Sequence, residues 1–144
     1  MATEMIVAYL HYIGVLGVAA TLSAELLMLR PGLNAATAKL IQRVDGVYGV
    51  TALIVVVTGF MRVWWVGKGA AFYTGNPVFH ALWILFVVIG LISILPTIQF
   101  MRWGKGAAIT DAAVKKQRRI VMVEVHLLAI APLLAVLMAR GIGN

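Results

Sequence analysis

The chain of 144 residues contains no cysteine. Disulfides, thiolate metal sites, iron–sulfur clusters and covalent CxxCH haem attachment are thereby excluded. Charge is also scarce. Only 12% of the residues are charged, and the acidic ones are just Glu4, Glu25, Asp45, Asp111 and Glu124. A soluble domain carries roughly 25% charged residues and is about half apolar. Catalytic motifs are missing too: there is no HExxH, no CxxC and no Ser–His–Asp arrangement, and the carboxylates show no spacing that calls for acid–base work. The start of the chain lacks the basic residues of a secretory signal. It has Glu4 and no Lys or Arg, and the apolar run that follows is about 25 residues, against 7–15 in a signal h-region.

What is present is apolar surface, at 62% of residues. A soluble fold this small cannot bury so much, so lipid must cover it. A membrane-spanning helix needs roughly 20 predominantly apolar residues. Four stretches qualify, at 5–29, 44–66, 77–101 and 120–139, and predict an all-α integral membrane four-helix bundle forming one domain. They stop at Arg30-Pro31-Gly32, Gly67-Lys68-Gly69, Trp103-Gly104-Lys105 and Arg140-Gly141. Glycine just past a helix, with a cation beside it, is the expected C-terminal signal. Asn34 is placed to cap a helix that runs into the second span, and Thr110 or Asp111 to cap one that runs into the fourth. Gly-Lys-Gly-Ala-Ala occurs at 67–71 and again at 104–108. No Ser or Thr follows either lysine, so these are repeated helix stops rather than a phosphate-binding loop.

The net charge of +7 is distributed by side rather than along a nucleic-acid-binding face. Arg30, Lys39, Arg43, Arg102, Lys105, Lys115, Lys116, Arg118 and Arg119 fall in the two connections between the first and second and the third and fourth spans. Only Arg62, Lys68 and Arg140 lie toward the other side. The positive-inside rule puts the first group in the cytoplasm of a bacterial inner membrane, with both termini outside, two inner loops and one outer loop. Trp64 and Trp65 then sit at the outer interface and Trp103 at the inner one, where aromatic belts form.

The informative residues are the polar ones at membrane depth, which are costly there and face a bundle interior or water. His11 lies about 9 Å into the first span at 1.5 Å per residue. His80 lies about three residues into the third span from the same side, at similar depth. Two imidazoles from different helices can hold a b-type haem by both faces of the iron. Gly14 and Gly17, just below His11, would admit a flat macrocycle, and Arg62 would pair a propionate. The plainer alternative stays open: imidazoles bonded to carbonyls or headgroups, glycines that only let helices pack, and an arginine that snorkels. Copper is a weaker option, drawing on Met5, Met61, Met138, His11 and His80, since thioether and imidazole suit Cu(I).

Toward the inner side, one stripe of the first helix carries His11, Val18, Leu22 and Glu25, with roughly 21 Å between its ends. A stripe of the second helix carries Asp45, Tyr48, Ala52 and Gly59 by the same arithmetic. Glu25, Arg30, Arg43, Asp45, Glu124 and His126 therefore gather in the inner half. An ion-pair network locking that end is the preferred account. A proton route or an inner cofactor site is the sharper one. His126 has no second histidine at its depth, and it lies about 200° around the helix from Glu124.

The order His11, then Ala24-Glu25-Leu26-Leu27-Met28-Leu29-Arg30-Pro31-Gly32, then Asp45-Gly46-Val47-Tyr48-Gly49 resembles a family of short four-helix bacterial membrane proteins of unassigned function. Thr58-Gly59-Phe60-Met61-Arg62, the segment 67–73, Asn76-Pro77, the stretch from Pro96-Thr97 to Trp103, and Met138-Ala139-Arg140-Gly141 carry the resemblance over nearly the whole chain. That family is distantly similar to HemJ-type protoporphyrinogen oxidases and CopD-type copper-resistance proteins. The resemblance implies haem binding at the first-span histidine, which is His11 here. HemJ-type proteins also carry a lysine early in the third span, two residues after a His or Trp. His80 matches the first of these positions, and Leu82 stands where the lysine would be. The expectation is a haem-b-binding protein handling electrons near the outer face, with His11 and His80 as axial ligands. The alternative is a small membrane subunit or a proton- or metal-coupled transporter without haem, self-associated or part of a larger complex.

Overall fold

A computed structural model describes residues 1–143. Four long helices are α1 (Ala2–Met28), α2 (Ala35–Met61), α4 (Pro77–Gly104) and α5 (Asp111–Ala139). A π-helical turn, Arg62–Val66, continues α2, and a one-turn helix α3 (Ala70–Thr74) lies in the connection to α4. All four long helices are long and apolar enough to cross a membrane.

The expected caps are present. Asn34 Oδ1 accepts from Thr37 N at 2.8 Å, and Thr110 Oγ1 from Ala113 N at 3.2 Å. Asp111 does a different task, accepting from Gly32 N at 3.0 Å and tying the α1–α2 turn to the start of α5. The second glycine of each repeated stop takes positive φ, +91° at Gly69 and +96° at Gly106, a conformation that side chains disfavour. The cation at the end of α1 is not Arg30, which is exposed. Arg118 reaches across from α5, and its Nη1 donates to the Leu26 and Leu29 carbonyls at 2.7 and 3.0 Å. Those carbonyls lack helical partners, and a cation suits the negative end of the helix dipole.

The helices form a square. α1 packs on α2 and α5, and α4 packs on the same two neighbours, so α1 faces α4 and α2 faces α5 only across the diagonals. The α1–α2 seam is the tightest because glycine permits it. A Cβ on Gly17 would stand 2.5 Å from Thr51 Cγ2, and one on Gly14 would stand 2.8 Å from Val55 Cγ2. Val18, Leu22, Ile41, Phe100, Trp103 and Val121 are central to the buried core, which lies toward the end that carries the cationic connections, here called the basic end. Leu16, Leu53, Leu91 and Leu133, one on each long helix, point outward and are more than half exposed. A bundle in lipid has this pattern, because lipid tails are as apolar as leucine and no inward hydrophobic drive exists.

Candidate functional site

At the end opposite the basic one, α1 and α2 place His11 against Thr58, with Nδ1 2.9 Å from Thr58 Oγ1. The Thr58 hydroxyl already donates to the Ile54 carbonyl at 2.5 Å. Its single proton is used, so it accepts from His11 Nδ1–H, and Nε2 carries the lone pair. Gly59 lies against the ring, and a Cβ there would stand in ordinary contact, 3.5 Å from His11 Cε1. Arg62 stacks its guanidinium over the Tyr12 ring at 5.8 Å. His80 has different neighbours. It is exposed, and its Nε2–H donates to the Thr74 carbonyl at 2.8 Å. With α1 and α4 diagonal, the two histidines share no partner. The Gly14–Gly17 face, expected to admit a macrocycle, is filled by Thr51, Ile54 and Val55 of α2. A haem gripped between His11 and His80 therefore does not fit this arrangement. For the copper alternative, Met5 is 71% exposed, and no three His, Asp or Glu among the described residues come together closely enough to hold a metal ion.

Nearer the basic end the structure brings together three of the six expected polar residues. Glu25 from α1, Asp45 from α2 and Glu124 from α5 are 1%, 7% and 0% exposed. They lie within electrostatic reach of one another and of Tyr48. The other three stay outside. Arg30 and Arg43 are exposed, and His126 is exposed with Nδ1–H donating to its own helix at Met122 O, 2.7 Å. The ion-pair network is thus corrected to a carboxylate cluster. Asp45 Oδ1 accepts from Thr97 Oγ1 at 2.8 Å, whereas Glu25 Oε1 and both oxygens of Glu124 have no partner among the described residues. Gln117 Oε1 and Trp103 Nε1 are likewise buried and unpaired. Ser93 and Thr97 escaped sequence reasoning. Their signal was two hydroxyl residues four apart, on one face of an otherwise apolar span.

Asp45 and Tyr48 line a cavity of about 550 Å³ between α2 and α4, together with Ser93, Thr97 and apolar side chains such as Phe86, Ile89 and Ile94. At the basic end the cleft is narrowed where the Gln42 amide fills the notch left by Gly104.

No curated protein and no solved structure matches this chain. The family of predicted membrane proteins designated DUF2214 matches residues 3–143, and this chain belongs to that family.

Proposed function

We propose that this is a small membrane protein that exchanges protons or cations at the Glu25–Asp45–Glu124 cluster, in a bacterial inner membrane with the basic end in the cytoplasm. The observation that supports it is a convergence of carboxylates from three helices with no cation beside them among the described residues. Buried charge without a partner costs several kcal/mol. Such a cluster therefore carries protons or holds a cation supplied from outside, and intramembrane carboxylates of this kind mark proton and ion pathways. Infrared spectra of the purified protein should show a protonated-carboxyl band that fades as pH rises and is diminished in Glu124→Gln. A spectrum with ionised carboxylates at every pH, unchanged by the substitution, would sink this reading.

A second reading, haem b with an electron-transfer role near the outer face, has one specific observation behind it. A ligating histidine donates its other ring N–H to an oxygen, and His11 does so at Thr58, leaving Nε2 for a metal. His11 would hold the iron and Arg62 would meet a propionate; bound haem would supply one-electron chemistry. On this reading the protein purifies with a Soret band that disappears in His11→Ala and persists in His80→Ala. A colourless wild type after haem supplementation rules it out.

A further inference from the structure

The cleft between α2 and α4 restricts what can reach the carboxylates. It is a half-open groove rather than an enclosed pocket, and its volume of about 550 Å³ leaves space for a small molecule. It opens sideways at membrane depth. Gly46 and Gly49 on α2 and Gly90 on α4 have nothing within 4 Å of where a Cβ would stand, so the flank of the cleft is bare helix backbone. A molecule dissolved in the bilayer has direct access there.

Two of the hydroxyl protons inside are already spent. Thr97 spends its hydroxyl proton on Asp45, and Ser93 spends its own on the Gly90 carbonyl at 2.8 Å. Tyr48 faces Ser93. The Gln42 amide and the Tyr48 hydroxyl can still donate, but Asp45 is the lining group that can carry charge near neutral pH, and a carboxylate selects a cation over an anion. The carboxylates do not form a metal cage, which disfavours a bare inorganic ion. Phe86 and Tyr48 line the same space, and aromatic faces attract organic cations. The groups facing Asp45 are Glu25 from α1, Glu124 from α5, Tyr48 from its own helix, and Ser93 and Thr97 from α4. No lysine, arginine or histidine is among them. Beyond Asp45, the unpaired oxygens of Glu25 and Glu124 leave acceptor capacity that the fold itself does not use.

Taking the carboxylate cluster as the exchange site proposed above, we propose that its ligand is a lipophilic organic cation, which enters from the bilayer between α2 and α4 and binds at Asp45 in exchange for a proton. The proton leaves the carboxyl group as the cation arrives, so the charge of the buried cluster is unchanged and the cost of an unpaired ion inside the membrane is avoided.

The test uses tetraphenylphosphonium, titrated calorimetrically into the full chain in detergent, in two buffers of different ionisation enthalpy, with empty micelles as blank. The expected result is saturable binding with one site per chain, release of one proton, and weaker apparent affinity at lower pH. Asp45→Asn and Gly49→Leu should each weaken binding by about tenfold or more, a loss of at least about 1.4 kcal/mol. Nothing lies within 4 Å of the Cβ position at Gly49, so Gly49→Leu starts into open space at the mouth of the cleft, and its elution profile and melting should match the wild type. No saturable binding to folded wild type, or binding that both variants retain, overturns the proposal. If tetraphenylphosphonium does not bind while the carboxyl band still titrates, the ligand class is wrong and the exchange reading stands.

Discussion

Gly17→Leu should prevent accumulation of folded protein, and Gly17→Ala should cost about 1–3 kcal/mol, the range for overpacking a close-packed site. The reason lies across the seam. The Cβ position at Gly17 is 2.5 Å from Thr51 Cγ2 and 3.0 Å from Thr51 Cβ. Thr51 cannot swing aside freely, because it is β-branched and its hydroxyl is bonded to the Val47 and Tyr48 carbonyls at 3.0 and 2.9 Å. The whole of α1 would have to move off α2, and with it the placement of His11 on Thr58. Gly46 supplies the control. Nothing lies within 4 Å of its Cβ position, so Gly46→Ala should be neutral or gain up to about 1 kcal/mol of helix propensity. Thermal melting followed by size-exclusion in detergent measures both. Equal tolerance at the two glycines would show that the α1–α2 seam is looser than described. Equal folding of Gly17→Ala with a changed haem content would instead return these glycines to the role of admitting a macrocycle.

The spans and their caps were legible because they depend on composition and local chemistry alone. Asn34 and Thr110 cap because their side chains reach an amide three residues on, whatever the rest of the chain does. Pairing across helices was less legible. Depth in the membrane is one coordinate, and sequence supplies it. Rotation about each helix axis and the order of helices around the bundle are two more. His11 and His80 have matched depth, but they sit on diagonal helices with His80 turned outward. Arg43 was expected in one inner network with Asp45, yet two residues along a helix is about 200°, so a buried Asp45 sends Arg43 outside. Arg30 lies past the end of α1, and the cation that meets that helix end is Arg118, 89 positions from Leu29. The π turn at Arg62–Val66 and the short α3 leave no periodic trace in so few residues. Glu25, Asp45 and Glu124 could be placed together in the inner half because a carboxylate inside an apolar span stands out and depth follows from sequence; that they meet without the cations expected beside them could not be read.

That convergence carries a cost the fold does not recover, and removing part of it should show. Glu124→Leu keeps nearly the same side-chain volume at a position that is 0% exposed and replaces two oxygens that have no protein partner. An unsatisfied buried polar group costs about 1–3 kcal/mol, and replacing buried ionic groups by apolar ones of similar shape is often neutral or stabilising by about 1–4 kcal/mol. The variant is therefore expected to melt higher than the wild type by an amount corresponding to about 1–3 kcal/mol, while its carboxyl band is reduced and its proton exchange is lost. Glu25→Leu should behave similarly but gain less, because only one of its oxygens is both fully buried and unpaired. A lower melting temperature in Glu124→Leu would show that Glu124 is held in the native state by bonds it needs for folding, and the cluster would then be a structural polar core. A higher one, with exchange abolished, identifies a residue that weakens the fold and is present for its chemistry, which is the pattern of stability traded for function at an active site.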